Sequence, residues 1–168
     1  MTSPPPKPLN VDIHTATKDG DVEKVKEFFA EGGDVNVRCR YKTTPLHRAA
    51  AYNRREIAEM LLSKGSDIEA RDGLGHTPLF WACKGGHTEM VFLLLSRGAH
   101  INAEDKKERT PLHEAARHGQ VDVVRLLVKR GAKRGVMDAD GNEPGEEFEE
   151  GVTEECKREI VTALAGSG

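Results

Sequence analysis

One phrase returns along this chain at a fixed spacing, and that spacing constrains the fold more than any other feature. Thr44-Pro45-Leu46-His47-Arg48-Ala49-Ala50 comes back as Thr77-Pro78-Leu79-Phe80-Trp81-Ala82-Cys83 and as Thr110-Pro111-Leu112-His113-Glu114-Ala115-Ala116, 33 residues apart each time. One period earlier stands Val11-Asp12-Ile13-His14, and one period later Glu143-Pro144 keeps only the proline. A fixed period of roughly 20–50 residues means a stacked array of small units. No single unit can bury its apolar face, so the interfaces between neighbours carry the stability.

The residues of one copy explain themselves. A threonine hydroxyl accepts a backbone N–H and starts a helix. Proline at the first helical position gives up an N–H that has no partner anyway. Leucine points inward, and the paired alanines let a neighbouring helix approach closely. A turn with Gly or Asn follows (Tyr52-Asn53, Gly85-Gly86, His118-Gly119). The second helix then carries an i, i+3, i+4 apolar stripe: Ile57, Met60, Leu61 in one copy, Met90, Val91, Leu93, Leu94 in the next, Val123, Val124, Leu126, Leu127 in the third. Gly65-Ser66, Gly98-Ala99 and Gly131-Ala132 end these helices, where a left-handed residue is needed.

This unit resembles the ankyrin repeat. The matching residues are the three Thr-Pro-Leu phrases, the Gly-Ala pairs, and the segments Asp34-Val35-Asn36, Asp67-Ile68-Glu69 and His100-Ile101-Asn102. The resemblance implies an all-α solenoid of helix-turn-helix units with projecting β-hairpin-like loops. The expected divisions are a Pro-rich lead at 1–9, one repeat domain at 10–165 and a frayed end at 166–168. Within the domain, 10–36 is a polar N-terminal cap, 37–69, 70–102 and 103–135 are internal repeats, and 136–165 is an acidic C-terminal cap. Phe80 replaces the motif histidine, and Lys42 and Glu108 stand where Gly75 and Gly141 hold the hairpin.

The last unit departs furthest from the pattern. Its first helix, beginning at Pro144-Gly145, is expected to be poor, with Gly151 interrupting it soon after. Phe148 is expected to dock on the preceding repeat. A final helix is expected from about Thr153, with Ile160, Val161 and Leu164 as its buried stripe.

Several function classes find no support in the residues. The formal net charge is −3, which does not suggest a nucleic-acid binder. The longest apolar run, Met90 to Leu95, is far short of the roughly 20 residues that span a bilayer. The N-terminus is polar and Pro-rich, unlike a secretory leader. Cys39, Cys83 and Cys156 form neither metal spacing nor a disulfide framework, so a reducing, intracellular setting (cytoplasm, nucleus or both) is expected. His113 and His118 are five residues apart, about 140° around a helix, whereas a zinc-protease helix needs i, i+4. Asp138-Ala139-Asp140-Gly141 places its glycine at loop position four, not the sixth place of a calcium loop. No catalytic residue, cofactor or metal is expected.

What remains is a surface. The resemblance implies that hairpin tips and the exposed side of the first helices line a concave groove for a partner. Placed by phase, the second repeat offers Arg38, Arg40, Tyr41, Thr43, Arg48 and Tyr52. The third offers Arg71, Leu74, His76, Trp81 and Lys84, and the fourth Lys106, Lys107, Arg109, Glu114, Arg117 and His118. The set is basic with three aromatics, and Tyr, Trp and Arg carry most interface energy. Trp81 has three readings: a binding anchor, a residue packed on the next hairpin, or a stacking platform for a ring.

Residues 138–168 hold ten acidic and two basic residues, and residues 1–137 hold 23 basic and 18 acidic, so a basic body precedes an acidic cap. The expected function is a non-catalytic adaptor or inhibitor that binds a protein, acidic where it meets the groove. The alternative is a small ligand or oligonucleotide bound around Trp81. A monomer is expected, with head-to-tail association of body and cap as the competing arrangement.

Overall fold

The computed structural model describes residues 12–166. The expected lead at 1–9 and the last two residues lie outside them. Nine helices and no strands are found among the described residues. They are α1 (Ile13–Asp19), α2 (Val22–Ala30), α3 (Pro45–Ala51), α4 (Arg55–Ser63), α5 (Pro78–Lys84), α6 (Thr88–Ser96), α7 (Pro111–Arg117), α8 (Val121–Lys129) and α9 (Glu154–Ala165). The short helices α1, α3, α5 and α7 pack side by side in one row, and the longer α2, α4, α6 and α8 form a second row behind them. The core runs the length of the stack between the rows. Leu46, Leu79 and Leu112 lie in it one period apart with their small-residue pairs, and Ile57, Leu61, Met90, Leu94, Val124 and Leu127 close it from the second row. Each fully buried Leu or Ile contributes about 1.5–3 kcal/mol. Met60 and Leu126 sit at the edge of this core rather than inside it.

The motif histidines join one repeat to the next. The Thr44 backbone N–H lies 3.1 Å from His47 Nδ1, and the Thr44 hydroxyl 2.9 Å from the same nitrogen. Both donate to it, so the proton sits on Nε2, which donates to the His76 carbonyl at 3.0 Å. Thr110, His113 and the Asn142 carbonyl repeat the arrangement. Phe80 breaks it. The Thr77 hydroxyl is left buried without a partner among the described residues, and the Phe80 ring instead stacks on His76 at 5.4 Å. A second set of ties comes from the residues that open the second helices. Arg54 donates to the Lys18 carbonyl, His87 to the Ala51 carbonyl and Gln120 to the Lys84 carbonyl, each closing the last turn of the preceding repeat's first helix.

Each hairpin is a tight turn of one design. The backbone bonds Cys39 N–H to Thr43 O, Asp72 to His76, Asp105 to Arg109 and Asp138 to Asn142 close the four turns at 2.9–3.1 Å. Successive tips are linked by single backbone bonds, Gly73 N–H to Tyr41 O, Lys106 to Leu74 and Ala139 to Lys107. The turn needs a left-handed residue at its fourth place. Gly75 (φ 89°) and Gly141 (φ 85°) supply it without strain, while Lys42 and Glu108 adopt it at φ 61°. The hairpin geometry is thus kept despite the missing glycines, at the steric cost an L-residue meets there.

The C-terminal cap has no first helix. Residues 143–146 form one turn and 149–152 another, and between them the Glu149 N–H donates to the Arg117 carbonyl at 2.9 Å. Gly145 (φ 90°) and Gly151 (φ 96°) are both left-handed, which a right-handed helix cannot pass through. Phe148 docks on the core. Thr153 caps α9 by accepting the Cys156 N–H. The expected stripe is corrected in one place: Ile160 is fully buried and Leu164 partly, but Val161 is 54% exposed. Ala163 takes its place beside Ile160, because residues three and four apart share a helix face and adjacent ones do not.

Candidate functional site

The candidate surface is made by the hairpin tips and the outward sides of α1, α3, α5 and α7. Asp72, Asp105 and Asp138 stand one period apart and are all nearly buried. Each uses one oxygen to tie its own tip: Asp72 Oδ1 accepts the N–H groups of Leu74 and His76, Asp105 Oδ1 those of Lys107 and Arg109, Asp138 Oδ1 those of Asp140 and Asn142. The calcium-like sequence at 138–143 is therefore a tip of the common kind. In the second repeat Cys39 holds this place, and its sulfur lies 2.9 Å from the Thr43 hydroxyl.

The free oxygens of Asp72 and Asp105 begin a polar chain that crosses two repeats and the cap. Asp72 Oδ2 accepts the Trp81 indole N–H at 3.1 Å and lies 3.5 Å from His76 Nδ1. His76 Nε2 is 3.2 Å from Asp105 Oδ2, which also accepts Arg109 Nε at 3.0 Å and Nη2 at 2.8 Å. Arg109 Nη1 faces Glu114 Oε2 at 3.5 Å, and Glu114 Oε1 is 3.0 Å from His118 Nε2. His118 Nδ1 is 2.8 Å from Glu149 Oε2 of the cap, and Arg117 meets Glu147 and Glu149 at 3.6 and 3.9 Å. Burial pushes the Glu114 carboxyl up, but the His118 hydrogen bond and the charges of His118 and Arg109 outweigh it, and the net shift is downward. Burial also opposes the Arg109 charge, and the Asp105 hydrogen bonds and charge more than offset that, so its guanidinium titrates above its ordinary value.

The expected surface residues therefore fall into two groups. His76, Trp81, Arg109, Arg117 and His118 are engaged by this internal chain, and Thr43 and Glu114 are buried. Trp81 is half-buried, edge-on to His76 of its own repeat, and bonded to its own hairpin rather than the next one. The other group faces outward. Tyr41, Tyr52 and Leu74 are exposed, as are Arg38, Arg40, Arg71, Lys84, Lys106 and Lys107, and Arg48 is half-exposed. Arg38 donates to the Arg71 carbonyl and Arg71 to the Glu104 carbonyl, and Lys106 donates to the Gly73 carbonyl. These contacts hold the side chains without neutralising their charge. Arg40 lies over the Tyr41 ring at 4.4 Å, and Lys18 over the Tyr52 ring at 5.7 Å.

The sequence reading missed two features. Lys18 and His14 of the N-terminal repeat border the same surface, in an open pocket of about 410 Å³ with Cys39, Arg40, Tyr41 and Arg48. The internal chain was missed too, although Asp72, Asp105 and Asp138 recur in phase and could have signalled it.

The remaining reactive groups sit as follows. His113 is held by Thr110 and Asn142, and no group of three His, Cys, Asp or Glu is disposed to hold a metal among the described residues. Burial pushes the Cys83 thiol up. Burial also raises Cys39, but the Thr43 hydroxyl, the N–H groups of Tyr41 and Thr43, and the Arg48 charge shift it downward overall. No described helix is long and apolar enough to cross a membrane.

Comparison with curated proteins returns no significant match. A family model for ankyrin repeats, in three copies, matches residues 12–72 and 70–138. Ankyrin repeats in general are protein-interaction modules. The match takes in all the helix pairs described above, and their geometry is that of the repeat, so this chain belongs to the ankyrin-repeat family.

Proposed function

We propose that this chain is a non-catalytic binding module, an adaptor or inhibitor, whose groove takes an acidic segment of a protein partner. The observation that carries the reading is the division of the groove. Its C-terminal third is matched in charge, with Arg109, Arg117 and His118 each facing a carboxylate of the described chain. Its earlier repeats present Lys18, Arg40, Arg48 and Lys84, none in an ion pair among the described residues, around the exposed rings of Tyr41 and Tyr52 and the Leu74 side chain. A basic field around apolar anchors steers an acidic partner in and then holds it. Stacking of a nucleobase on Trp81 has less support. The indole N–H is already spent on Asp72, and Arg109, which would have faced the ligand, is spent on Asp105.

Photo-cross-linking tests this. Photoreactive residues replace Tyr52 or Leu74 in the groove, or Phe92 on the exposed side of α6 as a control. Protein cross-links are expected from the two groove positions and are expected to fade at high salt. Cross-links from position 92 alone, or groove cross-links indifferent to salt, would overturn the reading.

A further inference from the structure

The pocket at the N-terminal end of the groove has an unusual balance of groups. Lys18, Arg40 and Arg48 line it against one carboxylate, Asp12. Asp12 is already engaged, accepting the His14 N–H and the Thr15 hydroxyl at the start of α1. Arg48 Nε is buried and has no hydrogen-bond partner among the described residues, and the same is true of both ring nitrogens of His14. Folded proteins rarely leave such polar atoms unmatched unless an ion, water or ligand meets them. The other end of the groove shows what meets such a pair. There the Arg117 guanidinium faces the carboxylates of Glu147 and Glu149 at 3.6 and 3.9 Å, its own Nε also without a hydrogen bond among the described residues, and His118 Nδ1 meets Glu149 at 2.8 Å. Arg48 and His14 form a comparable pair, and the one acid lining their pocket, Asp12, is tied to the start of α1.

We propose that this pocket is the anchor subsite of the groove and takes a glutamate or aspartate carboxylate of the partner, held by Arg48 with Lys18 and Arg40 around it. The assignment rests on the groove reading above and sharpens it to one place and one functional group. Burial holds the His14 imidazole below its ordinary value, so it enters the complex neutral. A carboxylate beside it favours the imidazolium, and binding therefore strengthens as pH falls.

The test uses the full chain with nitrogen-15 arginine side chains and NMR. The probe is a blocked pentapeptide with glutamate at its second and fourth positions, the spacing of Glu147 and Glu149. The Arg48 Nε–H signal is expected to move and saturate with this peptide, to ignore the glutamine version, and to leave the Arg125 signal in place. Arg48→Gln should weaken binding about tenfold or more, read from amide shifts around the pocket. Lys18→Gln, at an exposed site that cannot upset the fold, should weaken it about threefold. Arg48 and Arg125 moving together without saturation would reduce the effect to general ionic attraction. Binding of a phosphoserine peptide with none of the glutamate peptide would overturn the carboxylate assignment. A silent pocket with groove cross-links intact sinks this subsite alone. A saturating pocket with no groove cross-links sinks the wider surface instead.

Discussion

Replacing Arg109 with methionine tests the internal polar chain directly. The Arg109 side chain is 13% exposed, and it lies between Asp105 at 1% and Glu114 at 6%. Removing one partner of a buried ion pair costs about 3–5 kcal/mol, because a charge is left buried and unmatched. Here each acid keeps other donors. Asp105 retains two backbone N–H groups and His76, and Glu114 retains His118. The lower end, about 3 kcal/mol, is therefore the expected loss. Against a total stability of about 5–15 kcal/mol that is large. At a urea slope near 2 kcal/mol/M it moves the midpoint down by about 1.5 M. Arg125→Met is the control, since its pair with Glu159 is more than 40% exposed on both sides and costs about 1 kcal/mol or less. Adding Glu114→Gln to Arg109→Met should return about 1–3 kcal/mol of coupling. Equal midpoints for the Arg109 and Arg125 variants, at an unchanged slope, would refute the buried chain. The same result would restore Arg109 to the residues that meet a partner.

Three further outcomes are expected. Lys42→Gly and Glu108→Gly relieve left-handed strain at φ 61° and should each stabilise by about 0.5–1 kcal/mol, reduced by the freer unfolded chain; a lower urea midpoint would count against this. Thr110→Val removes the 2.9 Å contact with His113 and should cost about 1–2 kcal/mol, whereas Thr77→Val removes a hydroxyl that has no partner and should be near neutral or stabilising. Equal losses at the two sites would show that the histidine contact is not the cause. Acid should destabilise the fold in two stages. Burial holds His47 and His14 below the ordinary 6.5, so their contribution is complete above that pH and declines as pH falls through their folded values. Glu114, below its ordinary 4.5 on balance, adds a further loss as pH falls below that point. Urea midpoints followed from about pH 8 to about pH 3 read both stages, and a midpoint flat down to about pH 5 would exclude the first.

The two rows of helices were legible because their signals are local and in phase. Thr-Pro-Leu starts, paired small residues and Gly ends each depend on backbone geometry within a few residues, and three repetitions removed the ambiguity of any one copy. The cap helix that does not form was legible only in part. Gly145 and Gly151 weakened the expectation, but their left-handed conformation, and the docking of Glu149 on Arg117, depend on the repeat beneath.

For the surface, position in the period identifies which residues reach the groove and says nothing of what they meet. Trp81, Arg48 and Glu114 occupy one phase, yet the first is bonded inward, the second has an unmatched nitrogen, and the third is buried. The difference arises from partners that the fold brings up, some within the repeat, such as Asp72 against Trp81 and His118 against Glu114, and some about one repeat away, such as Asp105 against His76 and Glu149 against His118. The sequence by itself therefore determined the repeat, its helices and its basic groove, because these follow from short-range sterics and apolar spacing. Only the tertiary structure decided which charges are neutralised and which stay open, because Coulombic pairing depends on distances across repeats that the linear order leaves unstated.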